Sequence, residues 1–539
     1  MTLPPRCDLD THEVLNQPPH RGDGNLFAGD PLLLRLLPPA TRDEPELATY
    51  GAALGQATRR QAARDANRHG PELRLVDPAG RRLDEVAFHP AYHAFMALSA
   101  GAGYHSRAWE PGGSHQAHAA CVYLASQVEP GHCCPLTMTY AAQPVLRAAA
   151  PNMGSWAQAA LSRDYDPSVA PVTAKRGATI GMAMTEKQGG SDVRANSTRA
   201  ARDGDHWRLT GHKWFCSAPM SDAFLTLAQT DAGLGCFLVP RWLEDTRNGI
   251  EIQRLKDKLG NRSNASAEIV YRDALALPLG DPGEGVRTIV EMVHHTRLDT
   301  AMAPVGLMRA ALAEAHHWAV HRTTFQRRLI DQPLMAALLD DLALDVAGGL
   351  ALALRVARAF DGDDPQDRAF ARVGVALAKF LNNKLCPLVV GECMEALGGM
   401  GYVEDTALPL LYREAPLNGI WEGSANVICL DILRSLARAP GAAEALDATL
   451  DAARGNDGLY DAGLAAHRAQ WPGAVPEPEA RWFAESAATL LSAAALIEAG
   501  HPLAPAFCAT RLDPGRGRTR GALPDGAGRG AHAHLFTSD

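Results

Sequence analysis

Met184-Thr185-Glu186-Lys187-Gln188-Gly189-Gly190-Ser191-Asp192 follows the short apolar run 180–184, so it reads as a strand that opens into a glycine-rich loop. Gly189 and Gly190 let backbone approach a phosphate closely, and the hydroxyls of Thr185 and Ser191 can donate to its oxygens. A plain loop between two strands fits the same letters. Far downstream, Trp421-Glu422-Gly423-Ser424 sets one carboxylate at the mouth of a helix. Flanked by Ile420, Trp421 and a glycine, Glu422 can hold a raised pKa and act as a general base, although a capping or surface glutamate reads equally from four residues. Taken together, the two stretches suggest one composite site, a dinucleotide cofactor facing a base.

Working outward from the loop, runs rich in β-type residues occupy 180–184, 207–215, 224–228, 236–239, 250–252 and 267–271, separated by Asp203-Gly204-Asp205, Asp231-Ala232-Gly233 and Arg247-Asn248-Gly249. They predict an antiparallel β domain over 179–283. Residues 1–178 form an arm and a mainly helical region, with amphipathic helices expected over 83–98 and 118–128. Long helical patterns over 286–320, 333–360, 368–397 and 425–437 predict a four-helix bundle within 284–440. Residues 441–510 read as an extra helical domain. The Gly/Arg-rich stretch 511–539 has no apolar repeat and is expected to be irregular or disordered. Helices, then strands, then helices make an α+β protein rather than the alternating pattern of a Rossmann fold.

Other residues bear on chemistry. Trp214-Phe215-Cys216-Ser217 closes a strand; an aromatic beside a small hydroxyl residue suits the edge of a flavin ring, and equally a β-domain core. Arg322 and Phe325 stand about one helical turn apart, fit for pyrophosphate and adenine, or for a solvated helix face. Leu397-Gly398-Gly399-Met400-Gly401 follows a long helix and reads as a helix-ending turn with exposed amides.

Composition narrows the classes. The chain has 539 residues, 46% hydrophobic and 21% charged, with a net charge of −9. Several domains are expected at this length. The acidic balance argues against nucleic-acid binding through the whole body, while leaving room for a local basic patch. The ten cysteines show no metal-ligand spacing, so no metal is expected. With no export signal and no apolar run of membrane-spanning length, the expectation is a cytoplasmic protein away from membranes.

In their order along the chain, these motifs resemble those of the acyl-CoA dehydrogenase superfamily, and most closely its AidB-type alkylation-response flavoproteins. Thr-Glu-Lys-Gln-Gly-Gly-Ser-Asp, Gly-His-Lys-Trp-Phe, the segment Lys258-Leu259-Gly260-Asn261-Arg262-Ser263-Asn264, Trp-Glu-Gly-Ser and the arm Asn16-Gln17-Pro18 carry the resemblance to that branch. It implies the acyl-CoA dehydrogenase fold with FAD between the β domain and the bundle. Flavin or phosphate contacts are implied at Met184, Thr185, Gly190, Ser191, Phe215, Cys216 and Ser217, and near the base at Gly423, Ser424 and Asn426. Arg322, Phe325, Gly398 and Gly399 would meet the adenine end across a subunit interface, in a homotetramer. Glu422 would take the α-proton of an acyl-CoA, with its own N–H on the thioester carbonyl. This sequence departs from the family at Gln326, where glycine is usual, and in its tail.

Two functions follow from the resemblance. One is dehydrogenation of short branched acyl-CoA such as isovaleryl-CoA. The other is association with double-stranded DNA through the C-terminal region, where Arg434, Arg438, Arg454, Arg468 and Arg511 could form a phosphate-binding surface, with dehydrogenase activity slight or incidental.

Overall fold

The computed structural model describes residues 5–149 and 153–536; the extreme ends of the arm and of the tail, 1–4 and 537–539, lie outside them. Helix α1 (His115–Ser126) starts at Ser114, whose hydroxyl accepts from the Ala117 N–H at 3.0 Å. All its residues are buried, so it is a core helix rather than an amphipathic surface one. Helix α2 (Cys133–Ala148) follows and faces the β domain. The helix expected over 83–98 is instead a strand followed by a helix. Strands β1 (Glu72–Val76) and β2 (Arg82–Ala87) pair across a turn in which Asp77 accepts from Ala79 and Arg81 N–H groups and Gly80 takes φ 81°. That Asp-Pro-Ala-Gly turn overrides the helical spacing, and the helix begins only at Pro90.

Seven strands make the β domain: β3 (Ile180–Ala183), β4 (Arg199–Asp203), β5 (His206–Ser217), β6 (Ala223–Thr230), β7 (Gly233–Pro240), β8 (Ile250–Leu255) and β9 (Ser266–Leu279). Their order is β3-β6-β4-β5-β9-β7, β8 pairs with β9, and a β6–β7 pairing closes the path into a ring. The sheet is mixed, not purely antiparallel as expected. Strand β3 lies parallel to β6, with Ile180 opposite Ala223, and β4 meets β6 in parallel at Arg199 and Gln229. A parallel pair needs a long crossover, and here the glycine-rich loop and the β4–β5 hairpin supply it.

Four helices form the bundle: α3 (Gly285–His321), α4 (Pro333–Asp361), α5 (Pro365–Ala396) and α6 (Ala425–Arg438). Proline opens α4 and α5, where a missing N–H costs nothing, and Gly398 at φ 62° follows the end of α5. By length and composition α5 could cross a membrane, yet 78% of its most apolar window is buried, as befits a bundle core helix. Helix α7 (Ala480–Glu498) packs on α4 and α5, and one apolar core runs from Phe27 through the bundle to Leu535. The helices of 441–510, the expected extra helical region, pack on the bundle through this core.

The tail is irregular, with one short 3-10 turn at Ala531–His534, but it is packed rather than disordered. Arg511 pairs with Asp341 at 2.6 Å and Asp345 at 2.9 Å, Arg516 with Asp341 at 3.2 Å and Arg520 with Asp345 at 2.6 Å. His532 meets Asp340 at 2.6 Å, and Arg309 donates to the Leu535 carbonyl at 2.8 Å. The arginines that lack an apolar repeat find buried aspartates on α4 instead, a long-range pairing that periodicity does not reveal.

Candidate active site

The site forms where α2, the β3–β6–β7 side of the sheet and the start of α3 share an apolar seam, against which Met184, Trp109 and Trp421 pack. The loop after β3 is pinned by its glutamate. Glu186 is fully buried and accepts from Lys213 Nζ at 2.9 Å, Ser197 N–H at 2.6 Å and Thr198 N–H at 3.1 Å. Burial works to raise its carboxyl, but these hydrogen bonds and the Lys213 charge hold it well below the usual carboxylate range. Gly190 folds back onto Thr185, so that a Cβ there would lie 2.4 Å from Thr185 Oγ1. Thr185 in turn accepts from the Trp214 N–H at 2.8 Å, which ties the loop to β5.

At the end of β5, side chains alternate as a strand requires. Phe215 is half exposed and Ser217 half-buried, whereas Cys216 is sealed in the β-domain core. The Cys216 side chain therefore cannot touch a cofactor, and only its backbone faces that way. Lys256 Nζ lies 3.3 Å from the centre of the Trp214 ring, with Lys187 and Arg254 at 5.6 and 5.8 Å. Hydroxyls, a glycine-rich turn, the half-exposed Phe215 ring and gathered cations are what a flavin dinucleotide requires. Ser191 sits exposed on the loop, and Met184 is half-buried in the seam.

Glu422 occupies a left-handed turn, φ 56°, followed by Gly423 at φ 101°. For a glutamate that conformation costs about 1–2 kcal/mol, so its surroundings must hold it. Thr296 of α3 lies 2.7 Å from Glu422 Oε2 and also 3.0 Å from the Val293 carbonyl. One hydroxyl proton serves both geometries: ionised Glu422 accepts it, and protonated Glu422 donates to Thr296, which then turns to Val293. Burial raises the Glu422 carboxyl above its ordinary range, against the Thr296 hydrogen bond and the charges of Lys379 and Arg297. A carboxylate that gains proton affinity in an apolar seam and keeps a partner in both protonation states can act as a base. Cys134, at the start of α2, feels the Glu422 charge, but burial pushes its thiol up to about 12, so it is no nucleophile.

The remaining expected residues divide. Ser424 precedes α6 and makes no capping hydrogen bond, while Asn426 on its first turn accepts from Arg481 at 2.9 Å. Arg322 and Phe325 are not on a helix. They belong to a hairpin of β10 (Thr323–Thr324) and β11 (Arg327–Arg328), with Phe325 and Gln326 both left-handed at φ 48° and 67°. Two consecutive positive φ values define the tight hairpin turn that favours glycine second, so Gln326 sits there under strain. Asn16 of the arm fastens this hairpin: it donates to the Thr323 carbonyl at 2.7 Å, accepts from the Thr323 N–H at 2.8 Å, and its carbonyl accepts from Arg322 at 2.5 Å. From Arg297 to Arg322, α3 runs about 25 residues, roughly 37 Å. The hairpin is thus far from Glu422, and the Gly398-Gly399 turn at the end of α5 is exposed.

Sequence reasoning missed the supports of this site. Asp431 of α6 binds Arg297 at 2.6 Å and Arg372 at 2.8 Å, joining three helices behind Glu422. Burial works to raise Asp431, but the Arg372 hydrogen bond and the Arg297 charge hold it at about 2. One turn beyond Thr296, Asp299 meets His118 Nε2 at 2.6 Å. The spacing of Thr296, Arg297 and Asp299 on one helix was the only sequence signal available for either.

Of the arginines considered for a nucleic-acid surface, Arg511 is internal, Arg454 lies 3.6 Å from Asp451, and Arg468 pairs with Asp451 and Asp447 at 2.9 and 3.3 Å. Arg434 lies 3.8 Å from Asp431, and Arg438 is exposed.

Comparison with known proteins agrees region by region. Residues 16–167 match the Adaptive response protein AidB N-terminal domain, 181–274 the acyl-CoA dehydrogenase middle domain and 283–437 the acyl-CoA dehydrogenase C-terminal domain. The putative acyl-CoA dehydrogenase AidB of Escherichia coli strain K12 is 44% identical over 525 residues, covering 95% of this chain and 96% of that one. Among solved structures, Caenorhabditis elegans ACDH-11 in complex with C11-CoA aligns with a TM-score of 0.81 at 26% identity, over 96% of this chain and 92% of that one. An acyl-CoA dehydrogenase of Bacillus anthracis complexed with FAD shares the fold, with a TM-score of 0.61 at 16% identity over 78% and 77% of the two chains. With its three regions matched in order and one relative alike almost from end to end, the chain belongs to the acyl-CoA dehydrogenase family, in the AidB branch.

Proposed function

We propose that the protein is an FAD-dependent acyl-CoA dehydrogenase that desaturates a short, branched acyl thioester of the isovaleryl-CoA kind. The observation that carries this is the half-buried, left-handed Glu422, held by Thr296 at the seam between the β domain and the bundle. FAD, when bound, supplies the acceptor for the hydride that leaves the β-carbon. The chain supplies the rest. The Gly190 cradle and the Thr185 and Ser191 hydroxyls hold phosphate, while Phe215 and Ser217 flank the ring. Glu422 removes the α-proton, with Thr296 hydrogen-bonded to it before and after. A thioester α-proton is a weak acid, so the carbonyl needs donors as charge builds on it, and the Glu422 N–H would be one of them. Trp109, Met138, Met184 and Trp421 crowd the same seam, which supports a short acyl group.

Phe325, Leu334 and Tyr402 are 93%, 87% and 83% exposed. Large apolar side chains so open support a tetramer in which a neighbour covers them. The ten free cysteines suit a cytoplasmic protein. DNA association, suggested by likeness to adaptive-response proteins, takes second place because most of the arginines that would serve it are paired with carboxylates.

The deciding experiment is an anaerobic titration of the flavin-loaded protein with isovaleryl-CoA and a panel running up to an eleven-carbon acyl-CoA. Rapid bleaching of the flavin absorbance by the short branched thioesters is expected. Bleaching only by long straight chains would overturn the substrate class, and no bleaching by any thioester would overturn the dehydrogenase reading.

A further inference from the structure

Lys379 of α5 is 2% exposed, and its contacts are carbonyl oxygens. Its ammonium donates to Asn418 at 2.7 Å, Trp421 at 3.0 Å and Gly423 at 3.1 Å, one acceptor for each of its three N–H bonds. Two of those carbonyls flank Glu422 directly, and the Glu422 carbonyl itself faces Arg297 Nε at 3.3 Å. Trp421 adds a clasp within the turn, its indole N–H reaching Asn418 Oδ1 at 2.7 Å.

Three carbonyls of the turn from 418 to 423 converge on Lys379, while that of Glu422 turns to Arg297. Left alone in a buried place, they would repel one another and want solvent. One ammonium at their focus removes both costs, and no neutral side chain of that length offers three donors.

Building on the reading of Glu422 as the base, we propose that Lys379 is its positioning residue: its ammonium closes the left-handed turn from 418 to 423 and fixes the direction of the carboxylate. Its charge also bears on the proton that Glu422 carries. Glu422 is faced by Thr296 and Arg297 from α3, Lys379 from α5 and Cys134 from α2, with Asp431 of α6 behind Arg297. Lys379 in turn is faced by Glu422, Arg297 and Lys384. Burial lowers Lys379 to about 7 against the pull of Glu422, and the Lys379 charge in turn works to lower the Glu422 carboxyl.

The test uses flavin-loaded protein and three variants: Lys379→Met removes charge and donors, Lys379→Gln keeps two N–H donors without charge, and Glu422→Gln identifies the carboxyl. Steady-state rates against pH are read beside pH-difference infrared spectra, in which the band lost in Glu422→Gln reports that carboxyl without turnover. Lys379→Met is expected to lower kcat about 100-fold with KM within about threefold, the size of a misaimed group. The Glu422 band and the acid limb of kcat/KM should both move to higher pH. Lys379→Gln should keep more of kcat than Lys379→Met while showing the same titration displacement. A purely structural lysine would lower the yield of active protein and leave the band where it was.

The proposal is overturned if Lys379→Met keeps kcat within threefold and the band stays in place. It is overturned too if both Lys379 variants lose flavin and unfold. Turnover retained in Glu422→Gln would instead refute the base assignment alone, and the infrared displacement would still read whether Lys379 governs that carboxyl.

Discussion

Glu422 and Glu186 show how one side chain acquires opposite roles from its surroundings. Glu186 is fully buried and Glu422 half-buried. Glu186 meets a lysine ammonium and backbone donors, so it stays ionised and fastens the loop. Glu422 meets a single hydroxyl, with its cations turned to the backbone instead, so its proton affinity rises. The Glu422→Gln substitution preserves size and one hydrogen bond to Thr296 while removing the site that takes the proton. Turnover should fall about 10³-fold, within the usual reach of a general base. Flavin content should match the parent protein, because the residues assigned to the phosphates lie on the β3 loop. Stopped-flow absorbance on matched flavin-loaded samples measures both, and turnover within threefold of the parent would remove Glu422 from the chemistry.

At the scale of elements, the segment Lys258–Asn264 joins all three parts of the chain. Asn261 gives its N–H and side-chain amide to Glu414 of the bundle region at 2.5 and 2.9 Å, Ser263 donates to Glu129 of the helical region, and Lys258 reaches the Asn264 carbonyl at 2.7 Å. Burial pushes the Glu414 carboxyl up to about 7 against the Asn261 hydrogen bonds, with Glu129 adding repulsion. A carboxyl whose folded-state pKa exceeds its unfolded value binds its proton more tightly when folded. Its contribution is complete below pH 4.5 and is lost as pH rises to about 7, at most about 3 kcal/mol. Lys258, lowered by burial to about 8, titrates above that window. Thermal melts from pH 5 to 7.5 should therefore fall more steeply for the parent than for Glu414→Gln, and parallel curves would refute the assignment.

The same scale shows what the sequence could tell. Long single-period patterns gave the bundle helices to within a few residues, because burial of one face repeats every turn. The turn at Asp77–Gly80 and the hairpin at Phe325-Gln326 were hidden, since four residues decide each and neither carries a periodic signal. Strand β4 was missed because it exposes four of its five residues. At the site, the loop and Trp-Glu-Gly-Ser were legible as local chemistry, and family resemblance joined them. Lys379, Thr296 and Asp431 were not, since their meaning lies in contacts far apart along the chain, 42, 126 and 134 residues for Trp421, Glu422 and Arg297.

Across the whole molecule, arginine is used mainly to hold the fold together. The tail arginines 511, 516 and 520 close on Asp341 and Asp345, which are 0% and 1% exposed. Those buried carboxylates would be left uncompensated without them, a penalty large enough to keep the tail in place. Arg454 and Arg468 likewise face Asp451, and Arg434 leans on Asp431. A phosphate approaching these groups must displace a carboxylate already paired, and it does so against a net charge of −9. Each phosphate neutralised contributes about −0.9 to the slope of log affinity against log salt. With Arg438 and two loosened neighbours available, duplex DNA binding measured by fluorescence anisotropy from 50 to 200 mM salt should show a slope no steeper than about −3. A slope of about −6 or beyond would require that many cations to be free at once. The ion pairs of the C-terminal region would then have to open on binding, and DNA association would move ahead of dehydrogenation as this chain's task.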